Sequence, residues 1–236
     1  MWNIFLNQMN KVIETPLISV LLSVYNDDVN IKKSIDSILS QSYKNIELLV
    51  IDDGSTDKTY EILNDIKDSR LKIFRNKDNL GLTKCLNILI KKSQGQILAR
   101  QDSDDISLPT RLEVQYNTLQ KSKLDACTTR AFIKNTKKSI PRFSYLLPVN
   151  FVIKYKNPFI HGTLMVRKNA VLNVGMYDEH IKYAQDYKLF IELLKKKYKI
   201  KILKDNLYVL NMENNISSLK KEEQQDFFRK IQKENS

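Results

Sequence analysis

A chain of 236 residues, 42% hydrophobic and with only five Gly and five Pro, has material for one large domain and is not collagen-like or low-complexity. Its formal charge of +12 calls for an anionic partner: nucleic acid, an anionic membrane or a phosphate-bearing substrate. Two cysteines, Cys85 and Cys127, and two histidines, His161 and His180, give no Cys/His metal spacing and read as core thiols rather than a disulfide.

Met1–Thr15 is amphipathic, but Asn3, Asn7, Gln8 and Lys11 interrupt the apolar core that a signal peptide needs. It reads as a helical N-terminal extension. No apolar run approaches the ~18 residues that span a bilayer, so the expectation is a cytoplasmic chain that meets a membrane only at its surface.

From Leu17 to Arg100 strand and helix patterns alternate. Ile18–Val24 is a β-branched apolar run, and Ile31, Ile35, Ile38 and Leu39 then fall on one helical face. Glu47–Ile51 is a second strand, ending at Asp52-Asp53-Gly54-Ser55. Asp57 stands where a helix cap belongs, ahead of Thr59, Ile62, Leu63 and Ile66. Leu71–Arg75 is a third strand, and Leu82, Cys85, Leu86, Leu89 and Ile90 mark the next helix before a fourth strand at Gln96–Arg100. Such alternation of apolar strands with amphipathic helices predicts a parallel sheet covered on both faces.

Beyond Pro109 the pattern is mixed. A helix runs from Arg111 to Leu119, strands are expected around Ala126–Ile133 and Phe159–Val166, and short helices near Asn169–Val174 and Asp186–Lys196. Two further strands follow at Ile200–Leu203 and Leu207–Leu210. The Lys220–Glu234 tail is charged and reads as helical. No Gly/Ser/Pro-rich linker divides the chain, so one continuous α/β domain is expected.

Ligands of parallel sheets bind at the carboxyl ends of the strands, which here carry Tyr25-Asn26, Asp52-Asp53 and Asp102-Ser103-Asp104. The last cluster is the sharpest, because Asp102, Asp104 and Asp105 place three carboxylates within four positions. Carboxylates so close need a cation, a proton or strong donors beside them. Two readings are open: a divalent metal carrying a phosphate-bearing ligand, or a helix start with Asp104 or Asp105 capping the helix near Pro109.

The strings Ile18-Ser19-Val20-Leu21-Leu22-Ser23-Val24-Tyr25-Asn26, Val50-Ile51-Asp52-Asp53-Gly54-Ser55 and Asp102-Ser103-Asp104-Asp105 resemble those of the family 2 glycosyltransferases. The likeness continues in order through Asn79-Leu80-Gly81-Leu82, Pro109-Thr110-Arg111-Leu112, His161-Gly162-Thr163-Leu164-Met165, Gly175-Met176-Tyr177-Asp178-Glu179 and Gln185-Asp186-Tyr187, and covers about residues 16–218. It implies a GT-A fold: a single Rossmann-like domain with a mostly parallel central sheet flanked by helices. Residues 16–108 would be the nucleotide-sugar-binding half and 109–218 the acceptor-binding half, with extensions at 1–15 and 219–236. The implied activity is inverting transfer from a nucleotide-diphospho-sugar, UDP-sugar first, to a glycan or lipid-linked acceptor in bacterial surface polysaccharide synthesis.

The same resemblance implies roles. Tyr25 would stack on the base with Ser23 beside it, and Asp53 would accept a hydrogen bond from that base. Asp104 would bind a divalent metal (Mn2+ or Mg2+), Asp102 would contact ribose or metal-bound water, and Lys84 and Arg100 would assist at the diphosphate. Asp186 would be the catalytic base, although Gln185 stands where relatives usually carry Glu. His161 falls on the acceptor side, and orienting the site and simple packing are both open to it. Many relatives carry an Arg-x-His pair where this chain has Leu210 and Met212, so a histidine ligand from that region is excluded. The basic runs Lys154-Tyr155-Lys156 and Lys195-Lys196-Lys197 suit peripheral contact with anionic lipid or a solvated face. Acidic strand ends and the lack of a recognition motif argue against nucleic acid. A non-catalytic nucleotide-sugar or glycan-binding module of the same fold is the alternative.

Overall fold

The computed structural model describes residues 15–181, 183–213 and 227. All but Thr15 of the expected extension over 1–15, and nearly all of the tail, lie outside them.

Four parallel strands form the first half of the sheet: β1 (Ile18–Val24), β2 (Ile46–Asp52), β3 (Leu71–Arg75) and β4 (Ile97–Asp102), in the order β3-β2-β1-β4. They are joined by α1 (Ile31–Leu39), α2 (Thr59–Asp65) and α3 (Leu82–Lys92). Alternation along β1 explains the layering. Ile18, Val20, Leu22 and Val24 pack with α1, α2 and α4 (Arg111–Lys121), while Leu21 packs on the other face with α3, α6 (Lys168–Asn173) and α7 (Gln185–Lys195). With apolar cover on both sides, the strands read in sequence as near-continuous hydrophobic runs.

The second half is mixed. The short β5 (Ile106–Ser107) pairs antiparallel with β9 (Ile200–Leu210), and β6 (Ala126–Ile133) lies parallel to β9 and antiparallel to β7 (Ser139–Ile140) and β8 (Met165–Arg167). β8 joins the halves by pairing antiparallel with β4. Before β8 come a 3-10 turn at Ser144–Leu146, the short α5 (Val149–Val152) and a 3-10 turn at His161–Thr163.

Three sequence expectations need correction here. The two strands at 200–203 and 207–210 are one strand, in which the β6 register jumps from Thr129 opposite Leu203 to Arg130 opposite Asn206. Lys204 and Asp205 bulge out of the ladder, and their polarity reads as a break. The expected strand at Phe159–Val166 is mostly a turn, closed by the Thr163 N–H on the Ile160 carbonyl at 3.1 Å and the Leu164 N–H on the His161 carbonyl at 3.0 Å. The helix-start reading of the acidic cluster also fails, because α4 begins at Arg111 with Thr110 at its cap and no side-chain capping bond. Asp57, by contrast, accepts the Thr59 N–H at 2.9 Å, a bond at the start of α2.

Candidate active site

The carboxyl ends of β1, β2 and β4 lie side by side on one edge of the sheet, the position where a ligand crevice forms in such folds. On its β1–β2 side the loops are bound together. The Asn26 N–H donates to Ser55 Oγ at 2.9 Å, and Asn26 Oδ1 accepts the Thr56 N–H at 2.8 Å. Asp52, fully buried, accepts the Ser55 N–H at 3.0 Å and pairs with Arg75 Nε at 3.1 Å. Asp53 is equally engaged: Oδ1 accepts Asn76 Nδ2 and the Leu80 N–H, and Oδ2 accepts the Gly81 N–H, each at 2.8 Å. Gly54 makes the turn between them at φ +77, where a Cβ would stand 3.0 Å from the Asp78 carbonyl carbon. Tyr25 is about half exposed beside this loop, at 48%, and Ser23 is half-buried. Lys84 is exposed in the first turn of α3.

The β4 side is built differently. Asp102 ends β4 half-buried, its Oδ1 ion-paired to Arg100 Nη2. Arg100 is itself buried, at 2% exposure, and its Nη1 donates to the carbonyls of Leu21 at 2.8 Å and Gln101 at 2.7 Å. It therefore stands behind Asp102, with its guanidinium engaged by that carboxylate and by two backbone carbonyls. A second buried guanidinium, Arg111 on α4, donates to the carbonyls of Arg100 at 2.8 Å and Gly162 at 2.9 Å. Burial pulls its pKa down to about 10.

Gly162 is where the second half of the chain meets this cluster. A Cβ there would lie 2.5 Å from both Asp102 Oδ2 and the Tyr208 hydroxyl, so only glycine allows the approach. Tyr208, buried on β9, accepts the Asp102 N–H at 3.2 Å.

Asp104 is half-buried, and its pKa rises to about 6, first through burial and then through the charges of Asp102 and Asp27, with Lys134 acting the other way. Asp105 is buried and accepts the Asn211 N–H at 2.6 Å; burial and the charges of Asp102 and Asp104 hold its carboxyl well above the usual range. Among the described residues no group of three or more His, Cys, Asp or Glu closes a metal shell. Asp102 and Asp104 do offer hard oxygen donors in a field that raises the Asp104 pKa, and that donor set fits a divalent cation such as Mg2+ or Mn2+. Leu210 and Met212 flank Asn211 at the end of β9, so the positions matching the missing Arg-x-His pair lie beside this cluster and bring no charge to it.

Asp186 occupies the first turn of α7, after Ala184 in the left-handed conformation at φ 60. It is half-buried, and Asn157 Nδ2 donates to its Oδ2 at 2.7 Å. Its pKa is raised first by burial, with the Asp102 charge adding to this and the Asn157 bond opposing it. His161 is half-buried in the 3-10 turn, with Nε2 2.7 Å from the Tyr177 hydroxyl. Burial and the Arg100 charge pull its pKa down to about 3, so it is a neutral hydrogen-bonding group at ordinary pH. Asn87 on α3 holds the neighbouring segment, donating to the Tyr177 carbonyl and Glu179 Oε1, each at 2.9 Å.

The structure thus brings Asp102, Asp104, Asp186 and His161 into one electrostatic neighbourhood, with Ser23, Tyr25 and Asp53 on the adjoining strand ends. Sequence reasoning assigned no role to Asp27, Arg111, Lys134, Asn157, Gly162, Tyr177 or Tyr208. Arg111, Gly162 and Tyr177 lie within the recognised strings, which was the available signal. Nothing local marks the others.

The family model "Glycosyl transferase family 2" matches residues 19–181. The chain is 31% identical over 183 residues to the Escherichia coli UDP-Glc:alpha-D-GlcNAc-diphosphoundecaprenol beta-1,3-glucosyltransferase WfaP, covering 76% of this chain and 71% of that protein. Among solved structures it is similar to S. aureus TarS residues 1–349 in complex with UDP-GlcNAc, with a TM-score of 0.75, 21% identity and coverage of 91% of this chain and 65% of that one. It is also similar to the mannosyltransferase PcManGT from Pyrobaculum calidifontis in complex with GDP-Man and Mn2+, with a TM-score of 0.70, 20% identity and coverage of 85% and 58%. The chain spans less than two thirds of either solved chain, and at these identities the likeness establishes the GT-A-like fold.

Proposed function

Because the chain belongs to glycosyl transferase family 2, and is a nucleotide-sugar glycosyltransferase, we propose that it transfers a sugar from a UDP-sugar, with inversion, to a lipid-linked or glycan acceptor of a bacterial surface polysaccharide. The observation that carries this reading is the pairing of two carboxyl sites across one crevice. One is a carboxylate pair suited to a cation, and the other is a single carboxyl with a raised pKa and a fixed hydrogen-bond donor.

A base works best with a pKa near the operating pH, and the burial that raises the Asp186 pKa moves it that way. Held by Asn157 and by backbone N–H donors of its own turn, the carboxylate is steadied to take the proton of an acceptor hydroxyl. The acceptor oxygen forms its bond to the anomeric carbon as the bond from that carbon to the diphosphate breaks, and the electron pair leaves with the diphosphate. A divalent cation on Asp104 and Asp102, when bound, offsets the charge on that leaving group. Arg100, fixed by its bonds to the Leu21 and Gln101 carbonyls, holds Asp102 aimed. His161 and Tyr177 shape the acceptor side, Tyr25 supplies an aromatic face for the base, Ser23 lies beside it, and Lys84 offers a cation near the Asp53 loop.

The acceptor class is supported by the diphosphoundecaprenol named for WfaP, and the cation by the Mn2+ bound in PcManGT. The test is a mass-spectrometric screen of UDP-sugars for transfer and hydrolysis, with Mn2+ and with EDTA. Turnover of one donor, abolished by EDTA, is expected. UDP binding without transfer or hydrolysis of any donor would instead assign the chain as a non-catalytic nucleotide-sugar-binding module.

A further inference from the structure

Residues 126–177 contain nine Lys and Arg and no Asp or Glu. Within this stretch Phe143 to Leu147 lead into the segment from Val149 to Asn157, which lies against α7 and runs opposite to it. Asn157 bonds Asp186 at its first turn, the Tyr187 hydroxyl donates to the Ile153 carbonyl at 2.8 Å, and Val149 and Leu194 line one cleft at its far end. Val152 and Ile153 turn inward and are buried. Phe143, Leu146, Leu147, Phe151 and Tyr155 turn outward and are each exposed by 50% or more. The Phe151 and Tyr155 rings lie 5.2 Å apart. Five large apolar side chains displayed within thirteen positions are far from the scattered single exposures that need no explanation.

The cleft at the far end of α7 has a volume of about 480 Å3 and is lined by Val149, Asn150, Leu194, Lys197, Lys199 and Lys201. Lys195, Lys196, Lys197, Lys199 and Lys201 are all exposed. The two basic runs of the sequence therefore flank the same segment, exposed Lys154 and Lys156 towards its Asp186 end and exposed Lys195, Lys196 and Lys197 towards its far end.

We infer that this face docks on an anionic phospholipid bilayer, with Phe143, Leu146, Leu147, Phe151 and Tyr155 entering the headgroup boundary and the lysines meeting lipid phosphates. Apolar side chains ringed by cations are the chemistry of an interfacial contact, each part adding to the other. A second copy of the chain fits worse, because two such faces would bring like charges together with no acidic residue of this stretch to answer them. The placement also gives the surface a purpose, which rests on the transferase reading: an acceptor carried on a membrane lipid meets Asp186 at the edge of the docked face.

The test is co-sedimentation of the full chain with vesicles of phosphatidylcholine alone and of phosphatidylcholine mixed with phosphatidylglycerol. Binding to the anionic vesicles only is expected. The double variant Leu146→Glu/Phe151→Glu should weaken it by about tenfold or more. Lys195→Ser/Lys196→Ser/Lys197→Ser should weaken it and flatten its salt dependence. UDP-sugar hydrolysis should be unchanged in both, since none of these residues belongs to the site, and it reports that the variants fold. No binding to anionic vesicles would overturn the inference, as would undiminished binding by Leu146→Glu/Phe151→Glu. So would a dimer in light scattering that this variant dissolves, or vesicle binding that appears only after residues 214–236 are removed. Absence of nucleotide-sugar turnover with vesicle binding intact would remove the functional reading alone.

Discussion

On the β1–β2 side of the crevice each strand-end carboxylate is answered by its own loop: Asp52 by Ser55 and Arg75, Asp53 by Asn76, Leu80 and Gly81. On the β4–β9 side Asp102, Asp104, Asp105 and Asp186 share few donors, and three of them, Asp104, Asp105 and Asp186, have raised pKa values. On the first side Asp52 and Asp53 are held by donors from their own and neighbouring segments. The second holds unbalanced negative charge, and a cation or a proton is what balances it. On the proposed reading, the difference separates the part of the site that recognises from the part that reacts.

The largest effect expected from that contrast is at Asp186. Asp186→Asn should lower kcat by about two to four orders of magnitude while UDP binding by calorimetry stays as it was. Equal loss of nucleotide binding would move Asp186 to the recognising side and break the comparison. Next comes a matched pair of glycines. Gly162→Ala drives a Cβ to 2.5 Å from Asp102 Oδ2, and Gly95→Ala drives one to 2.5 Å from the Leu17 carbonyl, at the opposite end of the strands. Both should lose about 1–3 kcal/mol of stability in denaturant titrations. Only Gly162→Ala should also lose Mn2+ affinity and transfer per folded molecule.

A smaller change is expected from Asn157→Ala. It removes a donor that favours the ionised form of Asp186, so the acidic limb of the kcat profile should move to higher pH and neutral-pH turnover should fall about tenfold. A merely structural role would leave the limb in place. The smallest effect is thermal. The Asp104 pKa rises from 3.8 to about 6 on folding, so between those values the native state binds more protons than the unfolded one. Stability without metal should therefore fall as pH climbs through that window, by a Tm change of about a few degrees. Mn2+ should restore more of it at pH 7 than at pH 5, because protons no longer compete.

The parallel half was legible in the sequence because double-sided burial writes itself as unbroken apolar runs, and the helix stripes of Ile31–Leu39 and Leu82–Ile90 mark the first and third crossovers. The cluster at Asp102–Asp105 was legible for the opposite reason, since packing does not explain it. The burial of Arg100 was not legible, because a cation at a strand end suggests exposure. Its side chain shares a face with Asp102, two residues on, and is buried behind that carboxylate. Tyr208 meets Asp102 across 106 positions and Asn157 meets Asp186 across 29. Contacts of that kind exist only once β9 and α7 are in place, and no local pattern announces them. The single strand at Ile200–Leu210 was read as two because a bulge and a loop have the same polarity.

The grip on Asp53 has a consequence for discrimination. A carboxylate has about four acceptor directions, and three are filled by Asn76, Leu80 and Gly81. A base placed against it, as proposed, finds one lone pair and no freedom to turn the group around. Recognition then becomes a yes-or-no question about a single ring proton, which uracil and guanine carry on that edge while cytosine and adenine do not.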